Sequence, residues 1–134
     1  MYSISSNNAS GVATQSVFET SEEYFSPDDL SLFQATYDLP SQECSAPYGY
    51  TSDSCSTVDC YEGNLDVQYI MGVAQQATTI YWYLSNDNTT TDPFVAWVTD
   101  IASATNPPLV NSMSWGTIEQ VKHNTQLFYL PSTL

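Results

Sequence analysis

The chain of 134 residues carries 15 Asp and Glu against one basic residue, Lys122, so its net charge is −14 and its pI is about 4.1. Nucleic acid and anionic membrane surfaces are not expected as partners, because Lys and Arg are needed to neutralise such polyanions. Hydrophobic residues make up 42% of the chain and aromatic residues 13%, which favours a folded core over a disordered acidic segment. No run approaches the roughly 20 apolar residues of a membrane span.

The first part of the chain predicts a strand followed by a helix. Residues 11–19 are rich in β-branched and aromatic side chains, which favour a strand. Ser26 is suited to cap a helix that has Pro27 at its first position and two aspartates in its first turn. The helix is expected to run to about Tyr37, because Pro40 prevents its extension.

Residues 40–61 have the composition of a surface loop and hold all the cysteines, Cys44, Cys55 and Cys60. An odd number leaves one thiol without a partner in the chain, and the pairing stays open, although Cys44 with Cys55 or with Cys60 would close a short loop. A zinc site is the alternative use of these thiols, but the segment has no CxxC pair and no histidine nearby.

Two glycosylation acceptor sequences, at Asn8 and Asn88, accompany the cysteines. Both features favour an oxidising compartment, so the protein is expected to be secreted or to enter the secretory route. The first ten residues contain neither a basic n-region nor an apolar h-region, so no signal peptide is predicted in the chain as given.

The middle of the chain predicts a second helix and a second strand. After Glu62, apolar residues recur every four positions, at Leu65, Tyr69, Val73 and Ala77, with Ile70 and Ala74 beside them. This spacing predicts a helix with a wide apolar stripe. Residues 78–84, TTIYWYL, predict a strand whose aromatic side chains belong to the core and the wall of a cleft, rather than to a surface that stacks on sugars.

A third helix and a last strand complete the pattern. Asp92 or Thr91 is expected to cap the helix, with Pro93 in its first turn, and Pro107 ends it. Residues 109–115 predict a strand. The order strand, helix, loop, helix, strand, helix, strand predicts an α/β architecture, in which helices cover a mainly parallel sheet.

The pair Glu62 and Asp66 has the spacing of a catalytic acid pair. Four residues apart on a helix, the two carboxylates project from one face, with their Cβ atoms about 6 Å apart. Two acids at that distance cannot both ionise freely, so one pKa rises and its carboxylate can serve as a general base in acidic medium, where histidine is protonated. The alternative is that both are ordinary helix-start acids, which the helix dipole favours.

Four segments resemble one peptidase family. Residues 62–70, EGNLDVQYI, resemble the E-x-x-L-D-x-Q-Y signature of the sedolisins, the serine-carboxyl peptidases that include tripeptidyl peptidases. Residues 24–33 resemble the family's Y-x-S-x-x-D-L-x-x-F stretch, and residues 93–97 resemble the helix after its next strand. Residues 111–116, NSMSWG, resemble the S-x-S-[WY]-G strand end that lines the substrate cleft.

The resemblance implies a subtilisin-like parallel sheet with flanking helices, of which this chain is the N-terminal portion. It implies that Glu62 takes the proton of a serine nucleophile and that Asp66 holds and tunes Glu62. It also implies a cleft wall that pairs with an extended peptide or protein substrate, formed by Ser112, Ser114, Trp115 and Gly116. Without the family, residues 114–116 indicate an ordinary strand end with a buried tryptophan.

Three later parts of the family pattern have no counterpart in this sequence: a Ser-Gly-Asp segment whose Asp serves the oxyanion, a Ser-Gly-Thr-Ser motif with the nucleophile, and a calcium site near the C-terminus. Residues 117–134 are a divergent tail, in which Lys122 and His123 are expected to be solvated. The chain 1–134 is therefore interpreted as a partial peptidase catalytic domain that binds no metal or cofactor and is inactive alone.

The family resemblance adds an acidic lysosomal or vacuolar compartment to secretion as the expected location. The alternative function belongs to another class: a secreted, catalytically silent peptide-binding module, or a truncated pseudo-enzyme, that keeps the peptide-pairing strand end at residues 112–116.

Overall fold

The computed structural model describes residues 12–48, 55, 60–85 and 92–116. Its elements, in chain order, are β1 (Thr14–Glu19), α1 (Pro27–Thr36), β2 (Ser45–Tyr48), α2 (Tyr61–Val73), β3 (Thr78–Tyr83), α3 (Pro93–Ser103) and β4 (Val110–Met113). The strands form one sheet and the helices lie against it, which confirms the predicted α/β class with flanking helices.

All strand pairs in the sheet are parallel, and the strand order is β2-β3-β1-β4. The first strand of the chain is therefore central: Val17 is in register with Tyr81 of β3 on one side and with Ser112 of β4 on the other. Parallel strands need long crossover connections, and each connection here contains one helix. The sheet thus joins residues that are far apart in the chain.

The two faces of the sheet are covered by different helices. Val17 belongs to a buried cluster with Leu30 of α1 and with Val67 and Met71 of α2. Phe18, the next residue, points to the opposite face, where its ring lies 5.5 Å from Phe94 and 5.7 Å from Trp97 of α3, centroid to centroid. Hence α1 and α2 share one face and α3 covers the other.

One crossover has the opposite hand to the other two. The connections β2–α2–β3 and β3–α3–β4 move across the sheet in the same direction, yet their helices lie on opposite faces. The connection β1–α1–β2 moves in the reverse direction with its helix on the face of α2, so it shares the hand of β3–α3–β4. Since right-handed crossovers predominate in parallel sheets, β2–α2–β3 is the unusual connection.

The starts of α1 and α3 confirm the sequence prediction. The Ser26 side chain accepts a hydrogen bond from the backbone N–H of Asp29 at 3.1 Å, and Pro27 is the first helical residue. At α3, the Asp92 carboxylate accepts from the N–H of Phe94 at 2.9 Å. Each bond satisfies one of the amide groups that a helix start leaves open. Among the described residues, no helix has both the length and the hydropathy to cross a membrane.

The loop predicted over residues 40–61 needs a correction, because it contains strand β2. This strand has four residues, includes Pro47 and pairs irregularly with β3. It lies at the edge of the sheet, where a proline can be accommodated because one side of the strand makes no ladder hydrogen bonds. A short edge strand with a serine and a proline has the composition of a turn, which explains the error.

The disulfide joins Cys55 to Cys60, with the two Cα atoms 5.6 Å apart. Cys44 is the free thiol and is partly buried beside the core cluster, and burial raises its pKa to about 12. Sequence reasoning considered bonds from Cys44 to either of the other cysteines, and the structure forms neither. The observed bond closes a loop of only a few residues immediately before α2.

The large residues of the apolar stripe predicted for α2 are mostly exposed, although Ile70 packs against the core and Ala77 is buried. Leu65, Tyr69 and Val73 are 49%, 60% and 67% exposed, whereas the buried residues of this helix are Gly63, Val67 and Met71. The helix is apolar on two sides, and spacing alone favoured the longer series of large side chains. The true buried side includes a glycine, which contributes little to a hydrophobic pattern.

Candidate active site

The predicted site residues gather at the carboxyl ends of β1 and β4, beside the first turn of α2. In parallel α/β sheets this end of the strands is the usual place for ligands, because the loops that follow the strands converge there. Glu62 and Asp66 come from α2, and the segment from Ser112 to Gly116 comes from the end of β4. These two groups meet at Glu19, the last residue of β1.

Glu62 lies in the first turn of α2 and is partly buried. Burial of the carboxyl group raises the pKa of Glu62, and the charge of Asp66 raises it further. One oxygen of Asp66, Oδ2, is buried without a hydrogen-bond partner among the described residues. The charge of Asp66 therefore favours the protonated form of Glu62.

Glu19 is a third carboxyl group at this site, and sequence reasoning missed it. Its side chain is fully buried, and one of its oxygens accepts a hydrogen bond from Trp115 Nε1 at 2.8 Å. Burial raises the pKa of Glu19 to about 8 against the opposing effect of the Trp115 bond, and the charges of Asp66 and Glu62 also raise it. Glu19 is therefore protonated in acidic medium.

The sequence did contain a signal for Glu19. It is a single acid that ends a strand whose preceding residues are all buried or partly buried, and such a position at the carboxyl end of a central strand points into the ligand-binding end of the sheet. This signal can be interpreted only when β1 is known to be a central strand, and the strand order of the sheet is what shows this.

Close packing at Gly63 positions the start of α2. A Cβ atom at this residue would overlap the backbone oxygen of Tyr24 and the hydroxyl group of Tyr81. That hydroxyl donates a hydrogen bond to the backbone oxygen of Glu23 at 3.0 Å, so the helix, the β1–α1 loop and β3 meet in one contact. Glycine at position 63 thus lets Glu62 approach the end of β1.

The β1–α1 loop beside the site has a strained backbone. Ser21 and Glu22 have φ angles of 56° and 64°, a region that residues with side chains seldom adopt. The N–H of Glu22 donates to the Tyr83 hydroxyl at 3.2 Å, which helps to hold the turn. Strain of this kind is often found near functional sites, where the surrounding structure maintains it.

The strand end predicted to line a cleft is accessible. Ser112 is partly buried in β4, while Ser114 and Gly116 are exposed just beyond the end of this strand. Trp115 is partly buried because its indole reaches Glu19. No other strand pairs with the outer edge of β4 among the described residues, so its backbone groups are open on that side.

Other predicted features lie outside the described residues. Asn8 and Asn88 of the glycosylation sequences, and Lys122 and His123 of the tail, are among them. Within the described residues, no group of three or more His, Cys, Asp and Glu side chains is arranged to hold a metal ion. The calcium site implied by the family resemblance therefore has no ligand set in this part of the chain.

Comparisons with known proteins agree on one kind of enzyme. The chain is 32% identical over 105 residues to "Tripeptidyl-peptidase 1" of Dictyostelium discoideum and 33% identical over 96 residues to "Physarolisin" of Physarum polycephalum. These matches cover 77% and 71% of this chain but only 17% and 15% of the two relatives. No protein-family model matches the chain. The chain thus spans less than a fifth of the length of these relatives.

Proposed function

Since this chain belongs to the sedolisin-like family as a partial member, we propose that it is the N-terminal part of the catalytic domain of an acid-acting serine-type peptidase. In this proposal Glu62 is the general base and Asp66 holds and tunes it. The serine nucleophile and the group that stabilises the oxyanion come from sequence outside this chain.

The observation that carries the proposal is the raised pKa of Glu62 beside Asp66 at the carboxyl end of the sheet. A base works best when its pKa is near the pH of the reaction, because it must be ionised and yet bind a proton well. An ordinary glutamate is a weak base, and a neighbouring acid that raises its pKa makes it a better proton acceptor. Because Glu19 is protonated in acidic medium, it places no third negative charge beside Glu62 and Asp66.

The proposed substrate is an extended peptide segment. The backbone at Ser112 to Gly116 would pair with it as an added strand, since the strand end is accessible and its outer edge is open. Trp115 is held by Glu19, so this wall would be fixed relative to the carboxyl groups. The acidic surface disfavours nucleic acid and anionic membranes as partners. The corresponding location would be secreted or an acidic lysosomal or vacuolar compartment.

The chain of 134 residues is proposed to be inactive by itself, because an activated nucleophile needs a hydroxyl group next to its base. The first test is to sequence the transcript downstream of the codon for Leu134. A Ser-Gly-Asp segment followed by Ser-Gly-Thr-Ser is the expected result. A stop codon at that point in every transcript would count against the peptidase.

The second test is a peptide-cleavage assay of the extended protein near pH 4. Glu62→Gln is expected to lower kcat/KM by about 100-fold or more, because it removes the proton acceptor. Glu43→Gln is the matched control: it neutralises an exposed acid that does not belong to the candidate site, and it should leave the rate unchanged. If the 134-residue chain alone cleaved peptides and Glu62→Ala abolished this cleavage, the proposal that the nucleophile lies outside this chain would be contradicted.

A catalytically silent peptide-binding module is the second candidate, favoured by the open edge of β4. It predicts saturable binding of extended peptides that does not change in Glu62→Gln and is accompanied by no cleavage. It also predicts that proline in the middle of the peptide abolishes binding, because proline cannot donate to a strand ladder.

A further inference from the structure

The outer sides of α1 and α2 form an open groove, called here the α1–α2 groove. Its volume is about 470 Å³, and its walls include Leu32 and Phe33 of α1, Tyr37 directly after α1, and Tyr61, Asn64 and Leu65 of α2. Leu65 is the one residue of the apolar stripe predicted for α2 that lines the groove. Leu32 and Tyr61 are 67% and 86% exposed, which is unusual for large apolar side chains placed together.

The α1–α2 groove is separate from the features already described. Each helix has its own sheet-facing side, with Leu30 buried on α1 and Val67 on α2. Around α2, at 3.6 residues per turn, the groove residue Leu65 lies roughly 100° from Asp66 and about 160° from Val67. The apolar character of the groove is therefore required neither by the core nor by the carboxyl pair.

The groove is a preformed channel between two parallel helices. The side chain of Asn64 donates to Asp29 at 2.9 Å and accepts from the N–H of Ser26 at 2.8 Å, which fixes one end. At the other end the rings of Phe33 and Tyr69 lie 5.9 Å apart. From Asp29 to Tyr37 the groove spans about 12 Å, which matches two turns of a third helix.

The negative charges around the groove favour a cationic occupant. Asp28 and Asp29 lie at one end and Asp38 follows Tyr37 at the other. The described residues contain no Lys, Arg or His, so no cationic side chain among them neutralises these carboxylates, although Asn64 donates a hydrogen bond to Asp29. Exposed tyrosine rings beside carboxylates attract cationic side chains through the ring face as well as through charge. At neutral pH, where the chain carries a net charge of −14, a second copy of it would be repelled.

We propose that the α1–α2 groove is a docking site for a short amphipathic helix of a partner protein, with aliphatic anchors on one side and Lys or Arg at its ends. The aliphatic side chains enter between Leu32 and Leu65, and the basic side chains meet the aspartates and tyrosines at the two ends. This is the helix-in-groove mode of recognition. It is independent of peptide cleavage, because the groove contains neither Glu62 nor Asp66.

The test uses fluorescence anisotropy with a labelled model peptide of about 14 residues. It carries leucine at i, i+4, i+7 and i+11 and lysine at its ends, and the control peptide carries glutamate in place of lysine. We expect the lysine peptide to bind saturably in the micromolar range, and salt to weaken this binding. Its affinity should be at least about tenfold higher than that of the glutamate peptide. Equal binding of the two peptides, or no binding of either, would overturn the proposal.

Matched variants locate the binding. Leu32→Ser is expected to weaken the lysine peptide by about tenfold, because it removes a wall of the groove. Leu109→Ser removes an equally exposed leucine outside the groove, 71% against 67%, and should change nothing. Glu62→Gln should also leave binding unchanged, which separates this proposal from the peptidase. An equal loss in Leu32→Ser and Leu109→Ser would contradict the assigned site.

The other possible occupants give distinct results. Lys122 is the single lysine of the chain, so carbodiimide coupling of the free protein reports where residue 122 lies. A bond from Lys122 to Asp28 or Asp29 would mean that the chain's own tail fills the groove, and would overturn the proposal. A dimer in light scattering that Leu32→Ser dissociates would overturn it in favour of a second copy.

Discussion

A buried glutamate at the end of β1 links the two sides of the candidate site. Glu19 holds the indole of Trp115 on the β4 side and lies within electrostatic range of Glu62 and Asp66 on the α2 side. Such a group is costly to ionise without a cationic partner, and the described residues provide none. The packing around Glu19 therefore favours its protonated form.

The pKa of Glu19 predicts that acid stabilises the fold. In the folded protein this pKa is about 8, against about 4.5 for an ordinary glutamate, so between these pH values folding requires a proton to be taken up. The contribution is complete below pH 4.5 and is lost as the pH rises towards 8, by an amount on the order of 4 kcal/mol. Denaturant unfolding at pH 4.5 and pH 8 measures it.

Glu19→Gln is the matching variant, because its amide oxygen can still accept from Trp115 while the group cannot ionise. We expect the difference in unfolding free energy between pH 4.5 and pH 8 to shrink in this variant. If the variant and the parent lose stability equally over that range, some other group is responsible and Glu19 ionises normally.

Gly63→Ala is expected to destabilise the fold by about 3 kcal/mol or more, because the added Cβ overlaps the backbone of Tyr24 and neither side can yield cheaply. Gly72→Ala is the control in the same helix, where the new Cβ would have its nearest contact at 3.4 Å. That variant should be neutral or more stable by up to about 1 kcal/mol, since alanine favours helix. Thermal unfolding followed by circular dichroism compares them, and equal melting temperatures would contradict the packing described for Gly63.

At the scale of elements, local signals placed the helix starts correctly. Ser26→Ala is expected to cost about 1 kcal/mol of stability, because the N–H of Asp29 loses its acceptor. Ser31→Ala removes another hydroxyl of α1, exposed and bonded to the oxygen of Pro27, and should cost less than half as much. Urea unfolding resolves the two. If both variants lost the same amount of stability, the hydrogen bond of the Ser26 cap would contribute no more than that of Ser31.

The predictions that held depended on neighbours in sequence. A cap next to proline and the apolar, β-branched run at residues 78–83 are both local patterns, and the structure contains the helix start and the strand that they predict. The sequence also predicted the parallel α/β class, because strands and helices alternate along most of it.

The predictions that failed depended on three-dimensional arrangement. Spacing alone does not tell which of the two apolar sides of α2 meets the sheet, because that choice depends on how the helix packs against residues of β1, β3 and α1. The role of Glu19 follows from the strand order, and the bond from Cys55 to Cys60 follows from the path of the chain into α2. Strand β2 was missed because it gains its partner only in the assembled sheet.

At the scale of the whole molecule, the exposed edge and the uncovered apolar surfaces should make this chain associate with itself. Val110 is 59% exposed on the open edge of β4, and α3 has no fully buried residue. The charge of −14 opposes association at neutral pH, but that repulsion disappears near the pI of 4.1. Light scattering is therefore expected to rise much faster at pH 4 than at pH 7.

Val110→Lys should slow this association, because lysine on an edge strand prevents edge-to-edge pairing. Val73→Lys adds the same charge at a similarly exposed valine of α2 and is the control. Identical scattering from the two variants would show that general charge, rather than the edge of β4, governs association.

The central place of β1 also affects how this chain folds during synthesis. Among the described strands β1 is made first, and its neighbours begin at Thr78 and Val110, so the first neighbour follows about 60 residues later and the second about 95 residues later. At roughly 5–20 residues per second, β1 waits several seconds or more with both edges unpaired. Because the most buried of the described strands is made before both of its partners, we expect the nascent chain to depend on chaperones that protect its unpaired edges.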